Sequence, residues 1–355
     1  MRKYVGTERS RGINFAKMVS LSRRFFHLTK NYRVYSIALM ETIANVLTVK
    51  DLVKRYKEKT ALDHFSFEVR KGEVLGLLGP NGCGKTTAIN CILSLLKFDA
   101  GEITVFGEPM RQTANHLKKR IGLVPQEVSV FYDFTVTENI DYFCGLYVPD
   151  SVQRKVLVNE AIEFVGLQHY THYRAKKLSG GLLRRLNIAC GIAHKPELIF
   201  MDEPTVAVDA QSRNFILSGI KTLAQSGSTI VYTTHYLEEA ESLCDRIVIM
   251  DNGKTIAEGT LDEVKNMSRT REKIIVEFVD APNDIEEKLK KISHVIEVTK
   301  RANDYLLSFE NSVNNLNELI LCINAEKLQY TKLYSERPTL NDTFLELTGK
   351  DLRDE

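Results

Sequence analysis

Between Gly79 and Thr87 the chain reads Gly79-Pro80-Asn81-Gly82-Cys83-Gly84-Lys85-Thr86-Thr87, a glycine-spaced stretch ending in a lysine and two hydroxyls. A loop that wraps a run of phosphates must turn its backbone N–H groups inward, through conformations a side chain obstructs, and glycine permits this. The segment 73–78 before it reads as a strand. Residues 87–96 after it read as a helix with Ile89, Ile92, Leu93 and Leu96 on one face. That is the context a phosphate cradle requires, because a helix N-terminus adds its own positive field. In such a loop Lys85 reaches the β- and γ-phosphates of a nucleotide as a point charge, and the Thr86 hydroxyl sits on Mg²⁺. A Gly-rich turn that merely precedes a lysine is the plain alternative. Ordinary residue frequencies produce the pattern by chance on the order of one per cent of the time, before the flanking strand and helix are required.

A second group of chemical residues ends the apolar run Leu198-Ile199-Phe200-Met201, which is followed by Asp202 and Glu203. Ligands gather at the carboxyl ends of parallel strands. Asp202 is therefore placed to hold Mg²⁺, usually through water, and Glu203 to take a proton from a water attacking the terminal phosphate. Acids at a strand end are often merely solvated, so this pair draws its weight from the residues around it.

The elements that must position these groups alternate from Val46 onward between short aliphatic or β-branched runs and amphipathic helical stretches, the pattern of an α/β layer. Strands are expected at 46–49, 65–69, 73–78, 103–106, 121–124, 198–201, 229–233 and 247–250. Between Gln126 and Lys195 only helices are legible, at 136–147, 153–165 and 181–193. A helical subdomain of about residues 127–195 is thus inserted into the sheet-based core. After Met267 the order is strand 273–278, helix 284–292, strands 295–299 and 305–309, helix 313–325, strand 330–334 and helix 340–347, a small split-βαβ sandwich without a chemical motif. The expected architecture is α/β: a phosphate-loop NTPase core with an antiparallel β subdomain and an inserted helical subdomain, plus a small α+β C-terminal domain. The expected boundaries are a basic extension at 1–45, a nucleotide-binding domain at 46–268 and an accessory domain at 269–355.

With 43% hydrophobic and 26% charged residues, the 355-residue chain is neither disordered nor fibrous in composition. Its net charge of +2 points to no nucleic-acid partner. No run approaches the roughly 18 apolar residues of a membrane-spanning helix. The six cysteines, Cys83, Cys91, Cys144, Cys190, Cys244 and Cys322, form no Cys-x-x-Cys pair, which disfavours zinc and a disulfide framework and fits a reducing compartment. The first forty residues carry nine lysines and arginines, among them Arg23 and Arg24, against the single acid Glu8. They could grip an anionic lipid surface. Alternatively, translation begins at Met40 and they lie upstream of the true start. The apolar piece Tyr35–Met40 is too short for a signal-peptide core.

Leu178-Ser179-Gly180-Gly181, lying between the glycine loop and the acidic strand, resembles the signature sequence of ATP-binding cassette proteins. The resemblance covers about residues 46–267 and brings six elements in the family's order: Tyr56, the loop at 79–87, Gln126, 178–181, 198–205 with Asp209, and His235. It implies that Tyr56 stacks on adenine, and that Gln126 serves Mg²⁺, the attacking water and coupling to a membrane partner. It further implies that His235 steadies the γ-phosphate and that Asp209 helps join two cassettes. Ser179 would cap the helix at 181–193, so that Ser179, Gly180 and Gly181 close over the ATP held by a partner copy. Two cassettes then sandwich two nucleotides.

The departures from the family pattern are Leu182 where glutamine often stands, Ala207 and Ala210 where glycine and proline are frequent, and Cys83 in the cradle. The Cys83 sulfur is expected near the phosphate-binding backbone, where a thiol reagent would inactivate the ATPase and bound ATP protect it. The stretches 203–214 and 338–349 resemble the bacterial branch associated with antibiotic and multidrug export. Together these features imply an ATPase subunit of a homodimer, at the cytoplasmic face of a membrane, driving export through a separate permease. The aromatic cluster Phe131, Tyr132 and Phe134 is the candidate dock for that permease. A soluble cassette ATPase that remodels a cytoplasmic complex is the alternative. A phosphate-loop kinase would leave Ser179–Gly181 and His235 without a purpose.

Overall fold

The computed structural model describes residues 45–310 and 313–349. The basic segment at 1–40, its piece Tyr35–Met40 and the alternative start at Met40 lie outside the described residues. Two long strands, β1 (Asn45–Tyr56) and β2 (Lys59–Arg70), precede β3 (Val74–Leu78) and the helix α1 (Lys85–Ile92). Then come β4 (Ala100–Val105), β5 (Glu108–Pro109), the single-turn α2 (Asn115–Lys118) and β6 (Ile121–Val124). The helical insertion is α3 (Val136–Gly145), α4 (Ser151–Phe164) and α5 (Gly180–Ile192). The chain returns to the core through β7 (Leu198–Asp202), α6 (Ala210–Gln225), β8 (Thr229–Thr234), α7 (Leu237–Leu243), β9 (Arg246–Asp251), β10 (Lys254–Thr260) and α8 (Leu261–Lys265).

The central sheet has the order β10-β9-β3-β8-β7-β6 and is parallel except at its β10 edge. Every residue of β3, β7 and β8 is buried, as expected for strands covered on both faces. The strand period of two then divides the side chains between two cores. Leu75, Leu77, Leu198, Phe200, Val231, Val248 and Met250 meet α1 and the smaller sheet β2-β1-β4-β5. Val74, Leu78, Ile199, Met201, Ile230, Tyr232, Ile247 and Ile249 meet the helices on the opposite face. A phosphate loop at the end of β3 and an acid pair at the end of β7 are thereby brought to the same rim, with β8 between their strands.

The third sheet, β12-β13-β11-β14, is built from β11 (Glu272–Phe278), β12 (Val295–Lys300), β13 (Tyr305–Phe309) and β14 (Tyr330–Glu336), with α9 (Ile285–Leu289) and α10 (Asn315–Ala325) on one face. All its pairings are antiparallel, which gives the split-βαβ topology read from the sequence. The last helix, α11 (Leu340–Thr348), behaves differently from the rest of that module. Its Leu340 and Phe344 are fully buried in the core of the cassette, and its Leu340 N–H donates to Glu241 Oε1 at 3.1 Å.

Several boundaries differ from the sequence reading. Helix α1 stops at Ile92 because Ser94 takes a left-handed φ of 54°. Strand β1 runs on to Tyr56 through the exposed Lys50 and Arg55 and the half-buried Lys54, whose polarity hid the pattern, and its register shifts between Lys50 and Val53. The edge strands β5 and β10 are short of apolar residues and were not legible. No helix among the described residues is long and apolar enough to cross a membrane.

Candidate functional site

An open cleft of about 240 Å³ is lined by Tyr56, Lys59, Ala61, Asn81, Gly82, Gly84, Lys85, Thr86, Thr87, Gln126 and Glu203. Its floor is the loop between β3 and α1. Gly84 adopts φ 119°, and a Cβ there would stand 2.6 Å from the Ala61 carbonyl oxygen, so no other residue fits. No side chain caps α1 and no acid lies in its first turn, which leaves the positive end of the helix to an anion in the cleft. The Lys85 side chain is 6% exposed. Its ammonium donates to the carbonyls of Gly79 at 2.7 Å and Pro80 at 3.2 Å, and lies 3.6 Å from Glu203 Oε1.

The acidic wall comes from β7. Asp202 accepts on both oxygens, from Thr86 Oγ1 at 2.8 Å and Thr233 Oγ1 at 2.6 Å. Glu203, the residue after the strand, takes a left-handed φ of 47°, and its N–H is held by Thr233 Oγ1 at 2.9 Å. This turn directs its carboxylate into the cleft, where Gln126 Nε2 donates to Oε2 at 3.2 Å. His235 Nδ1 stands 3.3 Å from the same oxygen, out of hydrogen-bond alignment and with no other partner. A lysine, a hydroxyl beside a carboxylate, and a second carboxylate with the lysine, an amide and an imidazole around it thus converge on one region. Such a set suits a magnesium ion held by one hydroxyl, one carboxylate, phosphate oxygens and water, since Mg²⁺ rarely uses an all-protein cage.

Among the residues singled out from the sequence, Tyr56 ends β1 and is 46% exposed at the mouth of the cleft. Asn81, Gly82 and Gly84 through Thr87 line it, while Gly79 and Pro80 lie behind the loop with their carbonyls on Lys85. Cys83 requires a correction. Its thiol is not on the phosphate side but turns into the core, 6% exposed, against the Cα of Gly79. Burial raises its pKa despite the charge of Lys85, so a reagent reaches a protonated and covered sulfur.

Ser179, Gly180 and Gly181 do not line this cleft. Ser179 caps α5, accepting from Leu182 N–H at 3.4 Å, and both Ser179 and Gly180 are exposed. Gly181 is pinned by packing, because a Cβ there would come within 2.2 Å of Ser212 Oγ. Among the described residues Gly180 has open space before it, and none of them requires glycine there. Asp209 caps α6, and the Ser212 N–H holds its carboxyl below the usual carboxylate range.

Residues that the sequence reading passed over clamp the segment after Gln126. Arg184 and Asn187, buried on one face of α5, reach back to it: Arg184 Nη1 donates to the Gln126 carbonyl at 2.6 Å, and Asn187 joins Pro125 O and Ser129 N–H. Asn139, fully buried in α3, both donates to and accepts from the backbone of Phe131. The legible signal was polar residues on the inward face of amphipathic helices. With the loop held, Phe131, Tyr132 and Phe134 stand 42%, 49% and 39% exposed, and Phe131 packs on Tyr142 at 4.9 Å.

A phosphate loop on a parallel sheet, an acid pair on a neighbouring strand and a helical insertion between them define a nucleotide-binding cassette ATPase. Residues 62–206 match the ABC transporter family model, and residues 259–348 match that of the ATP-binding protein DrrA1-3-like C-terminal domain. The chain is 38% identical over 315 residues to a linearmycin resistance ATP-binding protein of Bacillus subtilis, covering 87% of this chain and all of that one. To a Nod factor export ATP-binding protein I of Ralstonia nicotianae it is 36% identical, over 87% of this chain and 95% of the relative. Among solved structures it is similar to the ATP-binding subunit of an ABC transporter (TM-score 0.58, 26% identity, covering 62% of this chain and 92% of that one). It is also similar to a dimeric ATP-binding cassette in a post-hydrolysis state with ADP and phosphate bound (TM-score 0.56, 27% identity, 61% and 98%). The chain belongs to the ABC transporter family, as an ATP-binding protein.

Proposed function

We propose that the chain hydrolyses ATP in the cleft as one half of a two-copy sandwich, and that this drives export of an amphipathic compound of the drug or antibiotic kind through a separate membrane permease. The observation that carries the proposal is the convergence of Lys85, Thr86 and Glu203 on one cleft, with Asp202 bonded to Thr86 behind it. In this reading the open N–H groups of the glycine loop and Lys85 bind the triphosphate, and Tyr56 stacks on the adenine. Thr86, Asp202 and Gln126 would hold Mg²⁺, which supplies neutralising charge on the phosphates. Glu203 accepts the proton of the attacking water while Gln126 and His235 orient and steady the reacting groups. The nucleotide's second wall would be Ser179–Gly181 of the other copy, which accounts for their exposure and for the space in front of Gly180.

The exporter names of the relatives support the transport reading over a cytoplasmic remodelling enzyme. On the same reading, residues 46–268 are the cassette and 269–355 an accessory module. The protein then works at the cytoplasmic face of the membrane, attached through the permease at the exposed Phe131, Tyr132 and Phe134 surface. The decisive experiment compares the full chain with Glu203→Gln for Mg-ATP turnover and nucleotide binding. The variant should lose at least about a hundredfold in turnover while its nucleotide affinity stays near that of the parent. Brisk hydrolysis by the variant would contradict the role given to Glu203.

A further inference from the structure

Behind the site lies a further buried carboxylate that the mechanism above leaves without a task. Glu239, in α7, is 4% exposed. Its Oε2 accepts three hydroxyl hydrogen bonds, from Tyr232 at 2.8 Å, Thr234 at 2.9 Å and Thr205 at 3.0 Å. Thr205 stands two residues beyond Glu203, and Thr234 immediately precedes His235. The Thr234 hydroxyl also receives the Tyr236 N–H at 2.9 Å, which fixes the turn that carries His235. On the other side Arg213 of α6 lays its guanidinium over the Tyr236 ring at 4.4 Å. Its Nε comes to 3.5 Å from Glu239 Oε1, an atom without a hydrogen-bond partner. Burial and the neighbouring carboxylate hold the Tyr232 phenol well above its ordinary pKa, so it remains a donor.

Packing alone does not explain an acid at this position. Leu237, Ala240 and Leu243 of the same helix are buried and apolar, and a buried carboxylate is costly unless its lone pairs are met. Its bonds join Thr205, just beyond Glu203, to the end of β8 at Tyr232 and Thr234, just before His235, and the Glu203 and His235 side chains face each other at 3.3 Å. We infer that Glu239 is a positioning residue for hydrolysis, tying the segment after Glu203 to the turn before His235 so that the base and the imidazole keep their separation. This inference rests on the reading of the cleft as an ATPase.

The test uses the full chain with Glu239→Gln, which keeps the volume and one acceptor oxygen, and with Tyr232→Phe, which removes a single donor. Turnover is measured over a range of Mg-ATP concentrations, binding of a fluorescent ATP analogue is titrated, and thermal melting is recorded. Glu239→Gln should lower kcat at least about tenfold, with KM and analogue affinity within about threefold of the parent. Tyr232→Phe should fall between the two, and this variant carries the test if Glu239→Gln does not fold. A kcat within about twofold of the parent, or one reduced only in proportion to lost binding sites, would overturn the inference. A parent chain that binds the analogue but never turns over ATP would instead overturn the ATPase reading, and this inference with it.

Discussion

Glu203 owes its place to backbone geometry as much as to residue type. A strand continued in register would send its side chain to one face of the sheet, whereas φ 47° turns it toward Lys85, held there by the double acceptor Thr233. Four residues on, Ala207 also takes a left-handed φ, of 58°, with its side chain exposed. The family resemblance noted that glycine is frequent at that position, and the dihedral supplies the physical reason. Relief of the Cβ clash is worth about 1–2 kcal/mol in this region, offset in part by the greater unfolded-state freedom of glycine. Ala207→Gly should therefore raise the free energy of chemical unfolding slightly, by no more than about 1 kcal/mol, while Ala207→Val lowers it. A destabilised glycine variant would show that Ala207 makes contacts the backbone argument omits. At this scale the types were legible and the directions were not. Lys85, Thr86, Asp202 and Glu203 could be chosen from spacing, but the inward turn of Cys83 and the hydroxyl bridges of Thr233 and Glu239 depend on partners far off in the chain.

Helix α11 shows how an element can belong by sequence to one module and by packing to another. Its apolar face enters the cassette core through Leu340 and Phe344. Its polar face is tied to the accessory module and linker by Lys273–Asp342 at 2.5 Å and by Glu346, which accepts from the Arg269 N–H at 2.7 Å. The Thr339–Asp342 capping box sets where it begins. Removing the ring of a fully buried phenylalanine costs about 3–5 kcal/mol. Phe344→Ala should thus release α11 first, read as faster hydrogen exchange in residues 340–348 with β3 and α1 unchanged. Equal protection in parent and variant would mean that α11 is held by Leu340 and its polar ties without the Phe344 ring. The order of elements could be read because apolar runs of five or so residues alternate with helical periods. Their lengths could not be read where polar residues continue a strand, as in the second half of β1 and in the edge strand β10.

Within one molecule the signature residues and the phosphate loop do not share a cleft, and this separation is the observation behind the proposed two-copy sandwich. Among the described residues nothing stands before Gly180, Ser179 is exposed at a helix N-terminus, and the cleft over the loop at Gly79–Thr87 is open. In the proposed two-copy arrangement, a second copy turned head to tail supplies the missing surface to each. The sequence could suggest this arrangement only through a resemblance, because composition and period carry no information about what lies across an interface. The direct measurement is sedimentation of the Glu203→Gln chain with and without Mg-ATP, alongside the same chain carrying Gly180→Val. The account predicts a dimer in the presence of nucleotide, a monomer in its absence, and a monomer that still binds nucleotide when Gly180 is blocked. A Glu203→Gln chain that binds Mg-ATP and stays monomeric at every concentration, or that dimerises equally well with valine at position 180, would contradict it.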